Sequence, residues 1–240
     1  MARAPRFDPS AVGPFAVSRS KLELFLACPR CFWLDRRQGV GRPDEAYYSL
    51  NLAVDQLMKR EFDACRIDKK PHPVMRVHGI EAVPFQHPQL TVWRDTPQGI
   101  RYAHPCGIEL FGIVDDVWVS GAGGLHPVDY KGTSSSAIPT LDARDGYRRQ
   151  LDVYGWLLMK NGFRLEREGY IVFANADRDR PALGGALKFT LSIAMHTLDL
   201  AWIDDALPAV RECLESDVPP PSTNDCAWCA YRRAAKESEA

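Results

Sequence analysis

The chain has 240 residues, 45% of them hydrophobic and 25% charged, a balance that suits one sizeable globular domain and excludes disorder over most of its length. A net charge of −1 excludes a uniformly basic coat, so any contact with nucleic acid must come from a local surface. No apolar run approaches the roughly 20 residues that span a bilayer and the N-terminus lacks the apolar core of a signal peptide, so the expected compartment is the cytoplasm, with no membrane partner.

Residues 1–17 are rich in Ala, Pro and Arg without an apolar period and are expected to be flexible, as is the small, charged tail 233–240. Ser18 to Ala27 is predicted as a helix: Ser20 and Glu23 have capping-box spacing, and Leu22, Phe25 and Leu26 form an apolar stripe. It delivers the chain to Cys28-Pro-Arg-Cys31. A second helix is predicted over 51–62, with Leu52, Leu57 and Met58 apolar and Lys59, Arg60 and Glu61 facing outward. Prolines punctuate 71–105, which carries short β-type runs.

Ile108 to Val119 and Leu125 to Lys131 are predicted strands, joined through Ser120-Gly-Ala-Gly-Gly124 as a hairpin. A loop over 132–139 precedes a helix from about 143 to 160, which Asn161-Gly162 stops. Strands over 168–174 and 187–196 and a helix over 200–215 follow, before Pro219-Pro220-Pro221 releases the chain to Cys226-Ala-Trp-Cys229. This order predicts an α/β fold, a mixed central sheet flanked by helices, as a single domain over 18–232 with no internal repeat.

Seven cysteines in a reducing compartment point away from a disulfide framework. Cys65, Cys106 and Cys213 are isolated, and are expected to be small buried residues. The two CxxC pairs are different: Cys28, Cys31, Cys226 and Cys229 supply four thiolates if residues 18–40 and 219–232 meet, a set that suits Zn²⁺ or an iron-sulfur cluster. Such a clasp would contribute to folding rather than to chemistry.

The hairpin carries the other constellation. With its turn centred on Ala122, paired residues sum to 244 and Asp115 faces Asp129. Side chains two apart in a strand share a face, so Asp129 and Lys131 project together while Val128 and Tyr130 go to the other side. Like charges across a ladder are destabilising unless a cation sits between them, and a hard oxygen-rich site suits Mg²⁺ or Mn²⁺. Two acids with a lysine fit metal-assisted phosphodiester hydrolysis: the acids hold the ion, the lysine orients water or stabilises negative charge. A register slip of one residue would put Asp116 in place of Asp115, and the arithmetic alone does not choose.

Gly112-Ile-Val-Asp115, then Val128-Asp129-Tyr130-Lys131, then Gln150-Leu-Asp-Val-Tyr154 resemble the successive strand, strand and helix motifs of the RecB-like branch of the PD-(D/E)XK nucleases. The resemblance selects Asp115. It implies a restriction-endonuclease-like core and a divalent-metal-dependent deoxyribonuclease acting on single strands or DNA ends, as an exonuclease of DNA repair or defence. The implied catalytic residues are Asp115, Asp129 and Lys131 together with Gln150 and Tyr154, one helical turn apart, which would contact DNA or support the lysine. The implied Mg²⁺ or Mn²⁺ ligands are Asp115, Asp129, the backbone carbonyl of Tyr130 and an acid on the early helix, Asp55 ahead of Glu61. Arg148 and Arg149 would meet DNA, and a helicase or other DNA-processing protein is an implied partner. Ser20 to Pro29 is further similar to CRISPR-associated iron-sulfur exonucleases, which implies a 4Fe-4S cluster in the clasp. Those relatives pair one early cysteine with three late ones, whereas this chain offers two and two, which keeps Zn²⁺ as the alternative. A catalytically silent nucleic-acid-binding module and an RNA-directed nuclease are the competing expectations.

Overall fold

The computed structural model describes residues 6–43, 49–94, 98–142 and 144–239, so the predicted helix start at Ala143 lies outside the described residues. The chain divides into two compact units, one of residues 1–46, 102–111 and 201–240, the other of 47–101 and 112–200.

In the first unit, strand β1 (Phe15–Ser18) pairs in parallel with β4 (Ile108–Gly112), Phe15 against Ile108 and Ser18 against Phe111. Helix α1 (Arg19–Ala27) follows directly. Its cap is Ser18, whose Oγ accepts from the Lys21 amide at 3.3 Å, so the expected Ser20 box is displaced by two residues. Helix α2 (Pro29–Gln38) starts on a proline that needs no amide partner and stops at Gly39, whose φ of 68° is left-handed. Helix α7 (Ala201–Glu215) and helix α8 (Ala227–Ser238) complete the unit. Phe32, Ile203, Leu207, Val210 and Leu214 are buried, and the Trp33 indole donates to the Ser216 carbonyl at 2.9 Å.

Both ends correct the sequence expectation. Phe7 is buried, stacks edge-on with Phe15 at 5.3 Å and donates its amide to the Arg36 carbonyl, so part of the supposedly flexible 1–17 segment is tied down. Residues 233–238 are helical within α8. Short segments without an apolar period gave no local signal; a single buried ring and one strand ladder hold the first of them.

The second unit is built on a five-stranded sheet in the order β2 (Ala82–Pro84), β5 (Asp116–Ser120), β6 (Leu125–Thr133), β7 (Glu168–Ala176) and β8 (Phe189–Thr197). Only β6 and β7 pair in parallel, and helix α6 (Asp145–Lys160) makes the crossover that parallel pairing demands. Helix α3 (Ser49–Ile67) buries Val54, Met58, Phe62 and Arg66, spaced four apart. This stripe packs with Trp118, Val128, Tyr130 and Val172, Phe62 lying 5.6 Å from the Trp118 ring and 5.2 Å from that of Tyr130. The alternate residues Ile171 and Phe173 pack with Leu151 of α6, so the two helices cover opposite faces of the sheet. The result is the expected mixed α/β architecture with helices flanking a central sheet.

Several elements differ from expectation. The α3 stripe is Val54, Met58 and Phe62, while Leu52 and Leu57 are exposed. The predicted strand 108–119 is two strands in different sheets, broken over 113–115, where the Val114 amide turns to the Trp93 carbonyl. The proline-rich 71–105 stretch holds short helices α4 (Pro73–Val77) and α5 (Leu90–Arg94) besides β2 and β3 (Ile100–His104). Cys65, Cys106 and Cys213 are half-buried rather than buried. Among the described residues no helix is long and apolar enough to cross a membrane.

Candidate active site and cysteine cluster

The β5–β6 ladder has the register inferred from the turn: Asp116 faces Val128 and Val119 faces Leu125, each pair summing to 244. Asp115 lies one residue ahead of the first ladder pair. Its carboxylate is therefore free of the sheet face, and Oδ2 accepts from the Tyr130 amide at 2.9 Å. Asp116 has a different fate. It is wholly inaccessible, ion-paired with Arg66 and 2.6 Å from the Tyr130 hydroxyl, which donates to it. Arg66 in turn binds Asp63 and the Phe85 carbonyl. Asp116 is thus consumed in a buried network under α3, whereas Asp115 stays partly accessible beside Lys59.

Asp129 is 1% exposed, on the α6 side of β6. Oδ1 accepts from Gln150 Nε2 at 2.5 Å, and the same amide nitrogen donates to the Tyr154 hydroxyl at 2.8 Å. Oδ2 is ion-paired with the Lys131 ammonium. Burial pushes the Asp129 carboxyl up to about 7 despite Lys131, and the adjacent Asp115 carboxylate adds to the rise. A buried carboxylate beside a second acid is a donor set that fits a hard divalent ion.

Gln150 and Tyr154 sit on one face of α6 because they are one turn apart. Gly112 lets that face close in: a methyl group there would come within 2.9 Å of Tyr154 Cε1. The Lys131 ammonium also lies 5.2 Å from the Tyr147 ring. Gly132 and Thr133, the next residues of β6, line a cleft of about 370 Å³ with Leu50, Asn51, Val54, Ser134 and Phe189.

Asp55 reaches this group only through a residue that sequence reasoning placed on the outward face of its helix. Lys59 Nζ lies 2.9 Å from Asp55 Oδ2 and 3.1 Å from Asp115 Oδ1. Burial works against the ammonium, yet the two carboxylates raise its pKa above the ordinary value. The i, i+4 spacing of Asp55 and Lys59 was the available signal. Glu61 is exposed and sits 3.4 Å from His72. Arg148, partly exposed, pairs with Asp142 and Asp145, and Arg149 is half-buried on the same helix.

The four paired cysteines converge in the first unit. Their sulfurs all lie within 4.8 Å of one another, and all four side chains are buried, with Leu24 and Trp228 packed against them. Each pair opens a helix. Cys28 caps α2 with Cys31 in its first turn, and Cys226 caps α8 with Cys229 in its first turn. Burial would raise the Cys28 thiol, but the amides of Cys31 and Thr223 and the neighbouring thiols bring it down to about 6. Arg42 Nη2 lies 3.6 Å from Cys226 Sγ. The donor set fits a thiophilic metal clasp.

The profile of the PD-(D/E)XK nuclease superfamily matches residues 51–234, which takes in the whole acid, lysine and glutamine constellation. Among solved structures, that of SSO0001 is similar over 94% of this chain and 88% of its own, at 15% identity and a TM-score of 0.42. No curated protein matches the chain.

Proposed function

The chain belongs to the PD-(D/E)XK nuclease superfamily, and on that premise we propose that it is a divalent-metal-dependent deoxyribonuclease of the RecB-like branch, acting on single strands or DNA ends. The observation that carries the proposal is Asp129: a buried carboxylate with a raised pKa, paired with Lys131 and adjacent to Asp115.

Asp115 and Asp129 would hold Mg²⁺ or Mn²⁺, with the Tyr130 carbonyl and Asp55 as further ligands, and the ion when bound would supply Lewis acidity at the phosphoryl oxygen and hydroxide at neutral pH. The protein's own groups do the positioning. The Tyr130 amide fixes Asp115, and Gln150, itself held to Tyr154, fixes Asp129. Lys131 shares the Asp129 face, so its ammonium meets negative charge developing on a phosphate held there. Lys59 neutralises Asp55 and Asp115 before any ion or substrate arrives. Arg148 and Arg149, on the first turns of α6, would contact the DNA backbone. A helicase or other DNA-processing partner and a role in repair or defence are part of the same proposal and rest on the sequence resemblance.

The test is cleavage of single-stranded, duplex and flapped DNA, and of RNA, with Mg²⁺ or Mn²⁺. Wild type should cut DNA, and Asp129→Ala and Lys131→Ala should bind it without cutting. A wild-type chain that binds nucleic acid but cuts neither polymer is a silent binding module, and one that cuts only RNA is a ribonuclease.

A further inference from the structure

We infer that the four-cysteine clasp is built for a single tetrahedral ion, zinc foremost, and not for the 4Fe-4S cluster that the sequence resemblance implies. The sulfur spacing decides it. Cys31 Sγ lies 3.6 Å from Cys226 Sγ and 3.7 Å from Cys229 Sγ, and Cys28 Sγ lies 3.9 Å from Cys229 Sγ. One ion bonded to four thiolates at about 2.3 Å sets the edge of the sulfur tetrahedron at about 3.8 Å, because a tetrahedron's edge is about 1.6 times the distance from its centre to a corner. In a 4Fe-4S cube every thiolate binds its own iron, and the irons are themselves held apart, so the sulfur edges grow to roughly 6 Å. No pair of these sulfurs is more than 4.8 Å apart.

The surroundings suit a compact, negatively charged centre. All four side chains are buried, with Cys28 wholly inaccessible, and Leu24 and Trp228 close the cluster. Both pairs are anchored at helix starts, where the helix dipole favours negative charge. Four thiolates on one divalent ion carry two excess negative charges, and Arg42, bonded to Cys226 Sγ, offsets one of them. Zinc precedes iron among single ions because divalent zinc binds a given site more tightly than ferrous iron. The role is structural. The ion joins Cys28 to Cys229, 201 residues apart in sequence, so its binding energy contributes to the folding of that unit.

The experiment is metal and sulfide analysis of the full chain, purified without oxygen from cells supplied with both iron and zinc, together with X-ray absorption at the metal edge. We expect one zinc per chain, no acid-labile sulfide, no visible absorption and a shell of four sulfurs. Stoichiometric iron with sulfide and a brown colour overturns the inference, as does a folded chain without metal. A single iron without sulfide overturns the choice of zinc. Two variants keep the result independent of the nuclease site and of misfolding. Asp129→Ala should retain the zinc, which places it outside the acid site. Cys229→His, which preserves a tetrahedral zinc ligand set, should also retain one zinc, and loss of zinc in either variant counts against the clasp.

Discussion

Gly112→Ala should loosen the candidate active site without replacing any of its residues. The added methyl would lie 2.9 Å from Tyr154 Cε1, 3.1 Å from Cδ1 and 3.3 Å from Leu157 Cδ1. Carbon atoms rest at about 3.5–4.0 Å, so the ring must retreat by roughly 0.5–1 Å. Tyr154 is 3% exposed and sits inside α6, so it moves only with the helix or by leaving its rotamer. Such overpacking costs about 1–3 kcal/mol. The smaller entropy of the unfolded alanine chain offsets about 0.4–1 kcal/mol. The net loss is at most about 2.6 kcal/mol, a drop in Tm of up to roughly 10 °C for a chain of this size. Displacing Tyr154 also displaces Gln150 and with it Asp129, and misplacement on this scale lowers cleavage by about 10-fold or more. Gly121→Ala is the control, since a methyl there meets nothing within 4 Å. Thermal unfolding by circular dichroism and cleavage of single-stranded DNA at saturating Mn²⁺ read both effects. If Gly112→Ala matches Gly121→Ala in both, the close approach of Gly112 to Tyr154 does not hold the site together.

Two further outcomes follow from the charges. The folded Asp129 carboxyl sits at about 7 against 3.8 in the unfolded chain, so between these values the folded state keeps a proton that the unfolded state has released. Without metal, stability attributable to this group should therefore decline as pH rises from about 4 to about 7 and level off above. A divalent ion must displace that proton, so Mn²⁺ should raise Tm more at pH 8 than at pH 5.5, with proton release detectable by calorimetry in buffers of different ionisation heat. A shift independent of pH would remove Asp129 from the ligand set. Lys59→Met should leave Asp55 and Asp115 without their shared cation, costing about 1–3 kcal/mol in urea unfolding of the metal-free chain. Mn²⁺ should recover most of that loss; an equal loss with and without Mn²⁺ would mean that Lys59 serves packing alone.

Much of the local geometry was legible in the sequence. A turn centred on Ala122 gives the register that the ladder has, although arithmetic alone left a one-residue slip open, and the two-residue period of a strand puts Asp129 and Lys131 on one side and Tyr130 on the other. One helical turn was enough to bring Gln150 to Tyr154. Tertiary structure separates the environments of the two neighbouring acids. Asp115 and Asp116 are adjacent and chemically alike, and only the arrival of Arg66 from α3, 50 residues away, neutralises Asp116 and leaves Asp115 to the site. Lys59 looked like a solvated helix face until folding placed it against Asp115. The cysteine pairs announced a metal by their spacing, but the distances between sulfurs nearly 200 residues apart depend on how α2 and α8 meet. Periodicity reports which way a side chain points along its own element; what it meets there is set by elements far away in sequence.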